Sequence, residues 1–93
     1  MIVGVVSWQL SLPGCMSLKD KRRVVKSLKD RIHHHFKVSV AETGQQDVWT
    51  RSEITVAVVA TDTRNADQIL DRIDRMIEDE GRALILGRRR DLH

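Results

Sequence analysis

The stretch Ile54-Thr55-Val56-Ala57-Val58-Val59-Ala60-Thr61-Asp62-Thr63, together with the thirty residues after it, decides the fold. Its first half is a run of β-branched and small apolar residues, the composition of a buried strand, expected over Glu53–Thr61. Thr61, Asp62 and Thr63 then offer side-chain oxygens that can cap a helix. Ala66, Ile69, Leu70, Ile73, Met76 and Ile77 recur at the i, i+3, i+4, i+7 spacing of one buried helical face. Gly81 is placed to end that helix in a left-handed cap. Ala83-Leu84-Ile85-Leu86 makes a short last strand.

Toward the N-terminus, the same strand-then-helix order occurs once more. Ile2 to Ser11 reads as a strand, rich in Val, Ile, Leu and Trp, and Pro13-Gly14 ends it. Ser17 can accept from the free amides of a first helical turn, and Asp20 puts negative charge where the helix dipole favours it. Leu18, Val25, Leu28, Ile32 and Phe36 then share about a third of a helical circumference, with Val24 at its margin, giving a helix of about five turns. Val38 to Gly44 is a second strand, joined to the third by the turn Gly44-Gln45-Gln46-Asp47-Val48-Trp49-Thr50. The order β-α-β-β-α-β predicts an α+β, ferredoxin-like sandwich: a four-stranded antiparallel sheet with both helices on one face. The expectation is one domain over residues 1–93, with residues from about 88 to 93 forming a basic tail.

That architecture leaves one sheet face open, and the sequence gives it apolar residues. Val3 and Val5 oppose Ile2, Gly4 and Val6 on the first strand; Ala57 and Val59 oppose Val56 and Val58 on the third. An uncovered apolar face docks against something, most simply a second copy, so a homodimer or larger homo-oligomer is expected. A chain of 93 residues also has a thin core, and association is one way to supplement it.

Composition narrows the setting. A single cysteine, Cys15, forbids an intramolecular disulfide and points to a reducing, cytoplasmic compartment. No stretch approaches the roughly 20 apolar residues of a membrane span, so no membrane partner is expected. The net charge of +3 hides a sharp division. From Ser17 to Lys37, eight Lys and Arg stand against Asp20 and Asp30; from Val38 to Gly81, four Arg stand against ten acids. Such asymmetry makes a directed field that can steer an anionic partner.

The candidate sites are set by that layout. Lys19, Arg22, Arg23 and Lys26 spread over the helix side opposite Leu28 and Ile32, with Lys29 flanking them. A stripe of this kind can contact RNA phosphates in a salt-sensitive way, and Arg88-Arg89-Arg90 would add to the footprint. The competing readings are a solvated face that keeps a small protein soluble and a face that pairs with the acidic second helix of another copy. Base reading on the sheet is disfavoured, because RNA-recognition sheets stack bases on aromatic residues and only Trp8 is available on the central strands. Candidate interface residues are Val3, Val5, Trp8, Trp49, Arg51, Ala57 and Val59. Trp49 stands out, since Trp and Arg dominate interface hot spots; the alternative is a tryptophan folded over the sheet edge.

Catalytic chemistry finds little support. His33-His34-His35 are consecutive, so on a helix they point about 100° apart and cannot converge on one metal ion. No dinucleotide fingerprint, P-loop or nucleophile elbow is present, and no cofactor is implied. An enzyme would need a site assembled between subunits around Glu42, Asp47, Trp49 and Arg51. A small-ligand regulatory module at a homodimer interface is the other alternative to RNA contact.

Ser17-Leu18-Lys19-Asp20-Lys21-Arg22-Arg23-Val24-Val25-Lys26-Ser27-Leu28 resembles the first-helix signature of the YlxP-like bacterial family of unknown function, number 503. Val38-Ser39-Val40-Ala41-Glu42 and Gln46-Asp47-Val48-Trp49-Thr50-Arg51-Ser52-Glu53-Ile54 are similar to its second and third signature stretches. The family often has Gln and Ala where this chain has Thr50 and Ser52. The resemblance runs over nearly the whole chain and weakens after Arg82. It implies a ferredoxin-like fold, no established activity and no catalytic positions. Family genes lying near translation and ribosome-assembly factors imply a connection with RNA.

Overall fold

The computed structural model describes residues 1–92. Its elements are β1 (Ile2–Ser11), α1 (Leu18–Phe36), β2 (Ser39–Gly44), β3 (Arg51–Ala60), α2 (Thr63–Asp79) and β4 (Leu84–Leu92). The strands form one sheet in the order β2-β3-β1-β4, with antiparallel neighbours throughout. This is the expected ferredoxin-like arrangement, and both helices cover one face of the sheet.

Local chemistry sets the helix ends. Ser17 Oγ accepts from the Asp20 amide at 3.1 Å, and Asp20 Oδ2 accepts from the Met16 amide at 3.0 Å. Two otherwise free donors at the start of α1 are thereby satisfied. Asp62 does the same for α2, accepting from the Asn65 amide at 2.8 Å. Gly81, just past α2, has φ +83°, a left-handed conformation glycine adopts without a Cβ penalty. The core lies between sheet and helices: Val6, Trp8 and Leu10 of β1 and Ile54, Val56 and Val58 of β3 pack against Val25, Leu28 and Ile32 of α1 and Leu70, Ile73 and Ile77 of α2.

Trp8, expected on the interface, is instead fully buried in this core. Even-numbered residues of β1 face the helices, and the indole Nε1 donates to Asp74 Oδ1 of α2 at 2.7 Å. Burial therefore leaves no polar group of the ring unsatisfied.

The last strand is longer than expected. Arg88, Arg89 and Arg90 do not belong to a tail; they are paired residues of β4, opposite Trp8, Ser7 and Val6. The pairing slips at one point: Leu10 opposes Ile85 but Gln9 opposes Gly87, so Leu86 is an extra residue in the ladder. A bulge of this kind reverses which side chains face which side of the sheet. Beyond it Arg88 and Arg90 point to the helix side, where they pair with Asp74 and Asp67 of α2. Arg89 is left facing the open side with Ser7.

The open face is only half apolar. The cross-strand pairs Val3↔Val59 and Val5↔Ala57 make an apolar end. At the far end Leu84 of β4, opposite Ser11, is exposed, and between the two Ser7↔Thr55 and Gln9↔Glu53 make a polar stretch. There Ser7 and Thr55 share a hydrogen bond at 2.8 Å, Thr43 bonds both Thr55 (2.7 Å) and Glu53 (2.6 Å), and Gln9 donates to Glu53.

Candidate nucleic-acid interface

Lys19, Arg22, Arg23 and Lys26 are exposed along the outer side of α1, and Lys29 is half-buried at its margin. The buried side of the same helix carries Val24, Val25, Leu28 and Ile32, so amphipathicity alone aims the cations outward. Lys26 is partly neutralised by Asp30 one turn on, at 2.7 Å. The hydrogen bond from Lys26 holds the Asp30 carboxyl below its usual range. Lys19, Arg22, Arg23 and Lys29 have no acidic partner among the described residues.

Four arginines elsewhere are paired. Arg31 of α1 and Arg82 flank Glu80, whose side chain is almost completely buried between them. Arg88 meets Asp74 at 3.1 Å, and Arg90 meets Asp67. Two of the three arginines expected to extend the footprint are thus tied to α2. Arg89 is exposed on the opposite layer of the sandwich, away from α1. The expected site shrinks to the helix.

One cation on α1 is not on the surface at all. Lys21 is 1% exposed; its Nζ lies 3.1 Å from Glu42 Oε2 and donates to the Gln45 carbonyl. Ser52 Oγ donates to the same Glu42 oxygen at 2.6 Å. This lysine, carboxylate and hydroxyl join α1, β2 and β3, and a buried charge of this kind persists only when paired and hydrogen-bonded. Sequence reasoning missed the group, although a signal was present. Lys21 sits three residues after Leu18 and four before Val25, on the apolar stripe, and Glu42 alternates with Val40 on the inward side of β2.

The same clamp braces the β2–β3 turn. Gln45 adopts φ 61°, and its carbonyl accepts from the Val48 amide (3.1 Å) as well as from Lys21. The Leu12 amide donates to the Thr50 carbonyl at 2.9 Å, fixing the turn to the β1–α1 loop too. Trp49 projects from this turn 51% exposed, beside exposed Val48 and Arg51.

The remaining interface candidates separate into two groups. Val59 is 68% exposed, with Val3, Val5 and Ala57 half-buried around it. The pair Ser11↔Arg51 lies eight residues farther along β1 than Val3↔Val59, about 26 Å at strand rise. Trp49 and Arg51 are therefore at the other end of the molecule.

The other chemical groups are individually accounted for. Cys15 is buried; desolvation, then the nearby Asp20, push its thiol above the usual range, against the pull of Arg82 and Lys21. It lines a groove of about 500 Å³ with Asp20, Arg23 and Arg82, but a thiol so held is a poor nucleophile. His33, His34 and His35 are exposed at the end of α1, where the His33 ring and the Val38 carbonyl are hydrogen-bonded at 2.9 Å. Among the described residues no three His, Cys, Asp or Glu side chains converge to hold a metal, and no helix is long and apolar enough to cross a membrane.

A family model described as "Protein of unknown function (DUF503)" matches residues 3–90. The chain belongs to this family. It is 30% identical over 77 residues to the uncharacterised protein YlxP of Bacillus subtilis, covering 83% of this chain and 84% of that one. Among solved structures, a de novo designed protein with ferredoxin fold superposes with TM-score 0.61 at 17% identity, over 100% of this chain and 86% of the design. The designed protein Foldit4 gives 0.59 at 16%, over 98% and 97%. Protein Atu4242 of Agrobacterium tumefaciens gives 0.52 at 12%, over 100% and 91%. At these identities the structural likenesses speak for the fold and for nothing further. That two idealised designs align with this DUF503 chain fits its regular, well-capped elements.

Proposed function

We propose that this DUF503 chain is a non-enzymatic, cytoplasmic, self-associating domain that contacts RNA, as on a ribosomal particle, through the outer face of α1. One observation carries the reading: among the described residues Lys19, Arg22, Arg23 and Lys29 stand without acidic partners on a helix whose acids are Asp20 and Asp30 alone, whereas the unpaired Arg64, Arg72 and Arg75 lie on α2 among Asp67, Asp71, Asp74, Glu78 and Asp79. The excess of cations over acids leaves the field of α1 uncompensated, and an uncompensated cationic stripe is what a phosphate backbone meets. Self-association would use the apolar end of the open sheet face, around Val3, Val5, Ala57 and Val59.

The test of RNA contact is charge reversal at two of the unpaired positions. Arg22→Glu with Arg23→Glu should remove salt-sensitive RNA binding and leave circular dichroism unchanged. Wild-type protein that fails to bind RNA at low salt would end the proposal. Self-association is checked by sedimentation, where a wild-type monomer at micromolar concentration would refute it.

A second reading, a small-ligand regulatory module at a homodimer interface, rests on the polar stretch of the open face. A depression of about 280 Å³ there is lined by Ser7, Gln9, Glu53 and Arg89, with Gly87 leaving it room. Thermal shifts across a metabolite panel would distinguish it from RNA contact.

A further inference from the structure

The β2–β3 turn that carries the half-exposed Trp49 is braced along its backbone. Gln45 opens the turn, and its carbonyl takes hydrogen bonds from the buried Lys21 of α1 and from Val48 of the turn itself. Arg22 comes directly after Lys21 in the chain, as Trp49 comes after Val48. Thr50, next again, is bonded to Leu12 in the loop that leads into α1. The exposed indole and the first turns of the cationic helix are therefore parts of one braced unit at one end of the sheet. A tryptophan there adds no charge; it adds a flat, apolar surface at the end of the sheet where α1 begins.

From this juxtaposition we infer that Trp49 is a stacking platform for an unpaired base, and that the strand contacted by α1 is single-stranded RNA. The inference rests on the RNA-contact reading above and narrows its substrate class. Non-specific single-strand sites combine a cationic track for the backbone with an aromatic face for the bases, and every base offers a π-face. A duplex keeps its bases stacked inside and offers the ring nothing. The rest of the surface agrees with a single platform: the sequence has three aromatic residues outside its histidines, of which Trp8 is buried and Phe36 is half-buried against the core. The Lys21–Glu42–Ser52 clamp holds the backbone of the turn that carries Trp49, which lowers the cost of ordering that turn on binding.

The arrangement supplies its own reporter. Of the two tryptophans, Trp8 is fully buried, so quenching by an added oligonucleotide reads Trp49. The test titrates wild type, Trp49→Ala and Trp49→Phe with a uridine dodecamer, a thymidine dodecamer and a 12-base-pair RNA duplex, following fluorescence and the anisotropy of labelled strands. The expected result is saturable quenching of the wild type by the uridine strand. Trp49→Ala should bind that strand roughly 5- to 100-fold more weakly, the range of one lost base–aromatic stack. Trp49→Phe should recover most of the affinity, and duplex binding should not change in either variant. Trp49→Ala binding the uridine strand as tightly as wild type, with no quenching, would overturn the stacking site and leave the helix contact standing. Tighter binding of the thymidine strand would overturn the assignment to RNA. No binding of any strand by the wild type would remove both readings together.

Discussion

The cations of α1 and those of β4 look alike in the sequence and meet opposite fates. Lys19, Arg22 and Arg23 form a dense basic group and stay free in solvent; Arg88 and Arg90 form an equally dense one and are taken up by Asp74 and Asp67. The difference lies in what each element packs against. The outer side of α1 faces nothing, whereas β4 lies under α2, the most acidic element of the chain. Counting charges along the sequence cannot separate the two cases. What separates them is a single extra residue in the β4 ladder, which turns Arg88 and Arg90 inward and Arg89 outward. Lys21 is a third case, a cation taken into the interior and matched there.

Breaking the interior case should have the largest effect. Lys21→Met leaves the Glu42 carboxylate partly buried without its cation, which should cost about 3 kcal/mol of unfolding free energy in urea denaturation. Adding Glu42→Leu should return much of that loss, since replacing both ions with apolar groups removes the desolvation penalty. Next comes the β4 case. Asp74→Ala strips the acceptor from both the buried Trp8 indole and Arg88, and should cost about 2 kcal/mol in the same measurement. On the outer side of α1, Arg22→Ala and Arg23→Ala should each stay within about 0.5 kcal/mol of wild type, because both are exposed and without an acidic partner among the described residues. Val59→Asp tests the other exposed surface: it should leave the fold intact and shift any oligomer to monomer in sedimentation.

The smallest effect belongs to Asp30, whose carboxyl is held below its ordinary range by Lys26. A depressed carboxyl adds stability above its unfolded pKa, and that contribution is lost as pH falls through the folded value. NMR titration should find Asp30 ionising at lower pH than in a Lys26→Gln variant. Unfolding curves of the two proteins at neutral pH should nearly coincide, because the pair is fully in solvent.

The fold was legible because its signals are local and repeated. Ser17 and Asp62 cap helices whose apolar residues keep one period, and Gly81 ends the second in the left-handed conformation expected of it. The stripe Lys19–Arg22–Arg23–Lys26 was legible for the same reason, since a helix wheel places it opposite Leu28 and Ile32. What escaped depends on register and on partners distant in the chain. Gly87-Arg88-Arg89-Arg90 has the composition of a loose terminus, and only its ladder with β1 makes it a strand. Trp8 looks available for an interface because nothing near it in sequence announces Asp74, 66 residues away. The apolar surplus on the sheet is overestimated from sequence for a similar reason: Ser7, Gln9, Glu53 and Thr55 form a polar network only once the strands are aligned.

The central claim, that uncompensated charge on α1 is a nucleic-acid surface, is tested most directly by the salt dependence of binding. Anisotropy of a labelled uridine dodecamer would be measured across a range of salt for wild type and for Arg22→Glu/Arg23→Glu. With three or four phosphates neutralised, log K for wild type should fall linearly with log salt at a slope of about −2 to −3. The variant should show no measurable binding at the lowest salt. Equal affinities with equal slopes, or no binding by the wild type, would contradict the claim.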